Sequence, residues 1–216
     1  MRKQGLFIVV DGPSASGKDT IISQVLKDLD KLGLKAISIE ETKEKDYDRA
    51  KILATKKLGD HEVARAIINE RKKLYETKVI PQLISGNLVI ANRGEPTTLV
   101  YQTLKNKLTM EHAWRMHRAK DIPLPNLIVI ANCSVQEAIR REKLRKESLE
   151  EKDKSSMSGK FTSARKQIHA NYEMVKDFLE KKGLWVIYLN TDKMNVTEES
   201  QRIVSFLKNK INYLHE

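Results

Sequence analysis

The feature that most constrains this chain is Gly12-Pro13-Ser14-Ala15-Ser16-Gly17-Lys18-Asp19-Thr20. It follows the apolar run Leu6-Phe7-Ile8-Val9-Val10 and Asp11, and it opens a stretch with helical spacing. Strand, glycine-bounded loop, lysine and helix in that order form the context a phosphate-binding P-loop requires. Gly12 and Gly17 permit the tight turn, the backbone N–H groups and the helix N-terminus face an anion, and Lys18 can reach the outer phosphates. The competing reading is a Gly/Ser-rich turn with no ligand. Both flanks fit the first reading, and a nucleoside triphosphate is the expected ligand.

The rest of the chain repeats the strand–helix alternation. Apolar runs of strand length occur at 6–10, 35–39, 87–91, 126–131 and 184–189, separated by segments with helical periodicity. Leu127-Ile128-Val129-Ile130 shows no polar alternation, as expected of a strand covered on both faces. The expectation is an α/β fold of three layers, a five-stranded parallel sheet with helices above and below. Ile21, Ile22, Val25, Leu26, Leu29 and Leu32 form the apolar stripe of the first helix, which Gly33 stops. Further helices are expected over about 60–85, 161–182 and 196–213. The 216 residues show no internal repeat and no linker, so 1–216 is read as one domain.

Segment 140–160 is densely charged and nearly devoid of apolar residues after Leu149. It reads either as a solvated helix end and loop or as a mobile basic flap closing over phosphates. The chain has 40 Lys and Arg against 29 Asp and Glu, a formal net charge of +11, which favours polyanionic partners. Nucleic acid ranks last among them, because aromatic residues make up only 6% of the chain and no basic, aromatic-interleaved surface is apparent. No apolar run approaches the roughly 18 residues of a membrane span, and charged Asp11 interrupts the initial run too early for a signal peptide. The single cysteine, Cys133, excludes an internal disulfide and agrees with a reducing compartment; the expectation is a cytoplasmic protein without membrane contact. The five histidines show no metal-ligand spacing.

Two further places carry chemistry. In Ala91-Asn92-Arg93-Gly94, Arg93 lies just past the third strand, where an open α/β sheet receives its ligand, and Thr98, Tyr101 and Gln102 follow at helical spacing. A phosphate clamp and a base-reading face would then lie side by side. Asp19 stands where the P-loop pattern has the Ser or Thr that holds Mg²⁺, with Thr20 one residue later. Its carboxylate could bind the ion directly or through water, or serve solvent and the helix dipole.

These residues together resemble the nucleoside monophosphate kinases, and among them the thymidylate kinases. That family carries a P-loop, then an Asp-Arg-Tyr element followed by Ser-Ser-x-x-Tyr-Gln; here Asn92-Arg93-Gly94 and Thr97-Thr98-Leu99-Val100-Tyr101-Gln102 stand at the same spacing. Glu70-Arg71 resembles the family's Asp-Arg, whose arginine reads the pyrimidine base. Leu124-Pro125-Asn126-Leu127 resembles the entry to the fourth strand, segment 140–160 its lid, and Asn190-Thr191-Asp192 its adenine loop. Asn92 replaces an aspartate, Gly94 an aromatic residue, and Ile39-Glu40-Glu41-Thr42-Lys43 the Arg-Glu-Pro-Gly-Gly-Thr stretch.

The resemblance implies ATP-dependent phosphoryl transfer to a nucleoside monophosphate, dTMP first, with ATP and Mg²⁺ as cofactors. A homodimer is among the assemblies it admits. Lys18, Arg93, Arg141 and Arg145 are then the catalytic candidates. ATP would meet residues 12–20, Arg140, Asn190 and Asp192; the acceptor would meet Asp11, Arg71, Arg93, Thr98, Tyr101 and Gln102; the metal would meet Asp19 and Thr20. Two rivals remain open, a kinase for another nucleotide acceptor and a non-catalytic nucleotide sensor.

Overall fold

A computed structural model describes residues 5–45, 47–54, 57, 59–104, 108–148 and 162–213. Five strands, β1 (Phe7–Asp11), β2 (Ala36–Glu40), β3 (Leu88–Asn92), β4 (Leu127–Asn132) and β5 (Val186–Asn190), form one sheet in the order β2-β3-β1-β4-β5. Every pairing is parallel. The helices are α1 (Lys18–Lys31), α2 (Arg49–Ala54), α3 (Asp60–Leu74), α4 (Ile80–Ile84), α5 (Glu95–Gln102), α6 (Met110–Arg118), α7 (Val135–Ser148), α8 (Thr162–Lys181) and α9 (Val196–Tyr213).

Side-chain alternation in the strands builds two cores. Phe7, Val9, Val89, Ala91, Ile128 and Ile130 face one side, where residues of α3, α5, α6 and α8 cover them. Ile8, Val10, Leu88, Ile90, Leu127 and Val129 face the other, under α1 and α9. Strands buried on both faces need no polar alternation, which accounts for the continuous apolar runs. The expected three-layer α/β fold is therefore present.

Each strand extends one residue beyond the run read from the sequence and ends on a polar side chain: Asp11, Glu40, Asn92, Asn132 and Asn190. Hydropathy stops at the last apolar residue, whereas the backbone ladder still includes the polar one, as in the pairs Glu40 with Asn92 and Asn132 with Asn190. The carboxyl edge of the sheet is thus a row of acids and amides. From β1 the chain crosses to the far edge, returns through β3, and only then fills the other side with β4. The topological switch that favours a ligand site therefore falls at the end of β1.

Three helical expectations change. Leu32 is not part of the buried stripe: it is the last residue before the turn and 43% exposed. The stop itself is at Gly33, whose φ of 70° lets Gly33 N–H reach the Asp30 carbonyl at 2.9 Å and Leu34 N–H the Leu29 carbonyl at 3.0 Å. The segment expected over 60–85 is α3, a π-turn at Tyr75–Val79, and α4. Pro81 has no N–H for the ladder and its ring crowds the preceding turn, so the helix widens just before it. Of the segment expected as a basic lid, the first part continues α7 to Ser148; residues 149–161 lie outside the described residues.

Candidate active site

The loop between β1 and α1 is held open by backbone that only a few residues tolerate. Gly12 (φ 154°), Ala15 (φ 59°) and Gly17 (φ 92°) all have positive φ, which side chains disfavour. A Cβ on Gly12 would collide with the Ala131 carbonyl oxygen at the end of β4, so the first loop position must be glycine. Gly17 begins α1 without a side-chain cap, leaving the first-turn N–H groups of the helix to an anion. Lys18 is 7% exposed, and its Nζ donates to the carbonyls of Gly12 (2.9 Å) and Pro13 (2.7 Å). Burial, and next the charge of Arg93, push its pKa down to about 8. The loop thus concentrates positive potential that a polyphosphate would relieve.

Asp11 is fully buried and organises the switch point. Its Oδ1 accepts from Gly12 N–H (2.8 Å), Thr97 Oγ1 (2.8 Å) and the Tyr172 hydroxyl (2.9 Å). Its Oδ2 accepts from Gly94 N–H (3.1 Å) and Thr97 N–H (2.9 Å). Asp11, expected at the acceptor, ties β1 and the phosphate loop to α5 and α8 through its oxygens. Next to it, Arg93 adopts φ 77°, a left-handed backbone that costs a non-glycine residue about 1–2 kcal/mol. Its Nη1 lies 3.5 Å from Thr97 Oγ1. Burial would pull its pKa down, but Asp11 and the tyrosines around it more than compensate.

Asp19 is exposed, and its Oδ1 accepts from Asn92 Nδ2 at 2.7 Å, across from the α1 start to the β3 end. A carboxylate can only accept, so the amide nitrogen faces it and Asn92 Oδ1 points elsewhere. That oxygen is buried and has no hydrogen-bond partner. Among the described residues no group of three His, Cys, Asp or Glu side chains could hold a metal. The oxygen donors Asp19, Asn92 Oδ1 and the exposed Thr20 nevertheless suit a hard cation that keeps waters and shares phosphate oxygens.

Arg71 is not presented outward as a base reader would be. It is fully buried, with Nε 2.5 Å and Nη2 3.0 Å from the two oxygens of Glu41, and Nη1 2.9 Å from Thr98 Oγ1 and 2.8 Å from His117 Nε2. Four of the five N–H groups of the guanidinium are committed within the protein. Arginine only donates, so His117 Nε2 is bare and its Nδ1–H donates to the Ala113 carbonyl at 2.9 Å. The imidazole is therefore neutral; burial, then Arg71, push its pKa down to about 3. Beside it Glu95 meets Arg118 Nη2 at 2.9 Å, yet burial outweighs that partner and raises its carboxyl to about 7. Thr98 is buried against Arg71; Tyr101 and Gln102, at the end of α5, are half-buried, and the Arg93 charge acts on the Tyr101 hydroxyl.

Of the three α7 arginines expected to cover phosphates, Arg141 lies at the loop. Its Nη1 lies 3.5 Å from the Ala15 carbonyl and 2.9 Å from Thr191 Oγ1, and its Nε 2.8 Å from Glu137. Arg140 faces solvent, 62% exposed and paired with Glu137. Arg145 is exposed on α7. Asn190 and Asp192 organise their own turn: Asp192 N–H donates to Asn190 Oδ1 (3.1 Å), and Asp192 Oδ2 accepts from Ser134 N–H at the start of α7 (2.8 Å). Sequence reading missed Glu41, His117 and Tyr172, whose roles arise from pairing across the fold, and Arg165, which holds Glu142 at 2.5 Å near the loop.

A parallel sheet of this order, with a P-loop at its switch point and an arginine past the neighbouring strand, defines the three-layer P-loop kinase fold. The chain belongs to the thymidylate kinase family, whose model matches residues 10–181. It is 24% identical to a thymidylate kinase of Bacillus cytotoxicus over 96% of this chain and 99% of that protein. It is 26% identical to a thymidylate kinase of Orientia tsutsugamushi over 96% of this chain and 94% of that protein. With a thymidylate kinase of Leptospira interrogans the identity is 25%, over 77% and 82%. No helix among the described residues is long and apolar enough to cross a membrane.

Proposed function

We propose that this chain is a single kinase domain that transfers the γ-phosphoryl group of ATP to dTMP, giving ADP and dTDP. An oxygen of the acceptor phosphate bonds to the γ-phosphorus, the bond to the β–γ bridging oxygen breaks, and its electron pair leaves with ADP. The acceptor is already an anion, so no general base is needed. The observation that carries the reading is that one buried carboxylate, Asp11, fixes both the P-loop at Gly12 and the turn after Arg93 at Gly94 and Thr97. Donor-phosphate and acceptor-phosphate groups are thereby held on adjacent strands.

In this reading Lys18 and the loop N–H groups hold the β- and γ-phosphates, and Arg93 holds the acceptor phosphate in line. Arg141 steadies charge on the transferred group from the α7 side. Asp19 and Thr20 hold Mg²⁺, which neutralises phosphate charge when bound. Asn190 and Asp192 shape the loop beside the adenine, and Tyr101 with Gln102 line the acceptor side. The relatives named thymidylate kinase support dTMP as acceptor. One feature favours a second acceptor: Glu41 occupies Arg71, so a base that reads Arg71 must displace a bidentate carboxylate. A coupled assay of ADP release over a panel of nucleoside and deoxynucleoside monophosphates tests both readings. The first expects the largest kcat/KM with dTMP, the second with another base. ATP binding without turnover on any acceptor would identify a sensor instead.

A further inference from the structure

The phosphate loop carries a carboxylate, Asp19, at the position where the pattern asks for a hydroxyl. A bare carboxylate beside a triphosphate is repulsive unless a cation lies between them. Of the other carboxylates at this end of the sheet, Asp11 is enclosed by Gly12, Gly94, Thr97 and Tyr172, Glu40 is paired with Lys43 and Glu41 with Arg71. Asp19 is thus the loop carboxylate that remains turned to solvent, and it is not loose: Asn92 Nδ2 holds its Oδ1 at 2.7 Å. Asn92 is 6% exposed, and its own Oδ1 is buried without a partner, an arrangement that costs free energy unless a donor or cation completes it.

We propose that Asp19 and Asn92 form one divalent-cation unit. Asp19 is the direct anionic ligand, and Asn92 orients that carboxylate through Nδ2 and offers Oδ1 to water bound by the ion. The unit divides its work between one charge and one amide, so the charge can stand at either residue but not be absent from both. A hydroxyl at position 19 is then a loss, although it restores the usual loop pattern. The proposal rests on the nucleotide-binding reading of the loop.

The test is a MnCl2 titration followed by water-proton relaxation, on the full chain saturated with a non-hydrolysable ATP analogue. Asp19→Asn and Asp19→Ser should each weaken Mn²⁺ binding at least about tenfold, and Asn92→Ala by about tenfold through lost orientation. The double variant Asp19→Ser with Asn92→Asp should return to within about threefold of the wild-type affinity. Unchanged Mn²⁺ affinity in Asp19→Asn, or a double variant no better than Asp19→Ser alone, would overturn the proposal. Asp19 is exposed, so Asp19→Asn decides the matter even where substitution of buried Asn92 prevents folding. Binding of a fluorescent ATP analogue in the presence of Mg²⁺ separates the two levels. Its failure in the native protein overturns the nucleotide reading and this unit together, while intact binding with unaltered Mn²⁺ affinity overturns the unit alone.

Discussion

Asp11, the last residue of β1, caps a helix to which it does not belong: its Oδ2 accepts the Thr97 N–H at 2.9 Å and its Oδ1 the Thr97 hydroxyl at 2.8 Å. The residue before α5 is Gly94, which has no side chain to cap the helix itself. A carboxylate supplied from the neighbouring strand does so, favoured by the helix dipole. Asp11→Ala should strand the buried donors of Gly94, Thr97 and Tyr172 and lower stability by more than about 3 kcal/mol. Urea unfolding checks this. A loss under about 1 kcal/mol, the level of an ordinary surface change, would show that the cap is dispensable.

Arg93 sits in a backbone conformation suited to glycine, with φ 77°. Arg93→Gly and Arg93→Ala remove the same guanidinium, but only the first relieves the backbone. Both should lower turnover by at least about a hundredfold, and the glycine variant should be about 1 kcal/mol more stable than the alanine variant. Steady-state kinetics with thermal unfolding measure the pair. Equal stabilities would remove the argument that strain is kept here for the sake of the side chain.

Glu95 and His117 give stability an opposed pH dependence. Burial raises Glu95 from 4.5 to about 7, so its contribution is present below pH 4.5 and is lost as pH rises to about 7. His117 is lowered from 6.5 to about 3, so its contribution is present above 6.5 and is lost as pH falls to about 3. Between pH 4.5 and 6.5 the two slopes cancel. Glu95→Gln should therefore gain stability relative to wild type as pH rises through that window, by about 1.4 kcal/mol per pH unit. Denaturant unfolding across the window reads the difference, and a pH-independent difference would place the Glu95 pKa near its ordinary value.

The layers of the fold were legible because both faces of β1, β3 and β4 are apolar and because a P-loop must join a strand to a helix. Strand ends were misplaced by one residue because Asp11, Asn92 and Asn132 are paired by backbone, which hydropathy does not register. The phosphate-loop half of the candidate site is local in sequence and could be read from Gly12 to Thr20. The acceptor half depends on distant partners. Nothing near Arg71 in the chain announces that Glu41, Thr98 and His117 saturate it, and nothing near Asp19 announces Asn92.

Lys18 titrates within reach of neutral pH, at about 8, because burial and Arg93 disfavour its charge. Bound phosphates favour the protonated amine, so ATP binding should take up a proton above pH 8. Affinity should fall toward tenfold per pH unit as pH rises further. Calorimetric titration in two buffers of different ionisation enthalpy detects that proton, and Lys18→Met should abolish its uptake. Uptake that persists in Lys18→Met would assign it to another group.

The most direct measurement of the central claim is phosphorus NMR of ATP, Mg²⁺ and dTMP incubated with the wild-type chain and with Lys18→Ala. Transfer to a bound acceptor phosphate predicts that ADP and dTDP resonances grow together, mole for mole, with the wild type, and at least about a hundredfold more slowly with the folded Lys18→Ala variant. ADP with free phosphate and no dTDP, or equal rates from the two proteins, would contradict it.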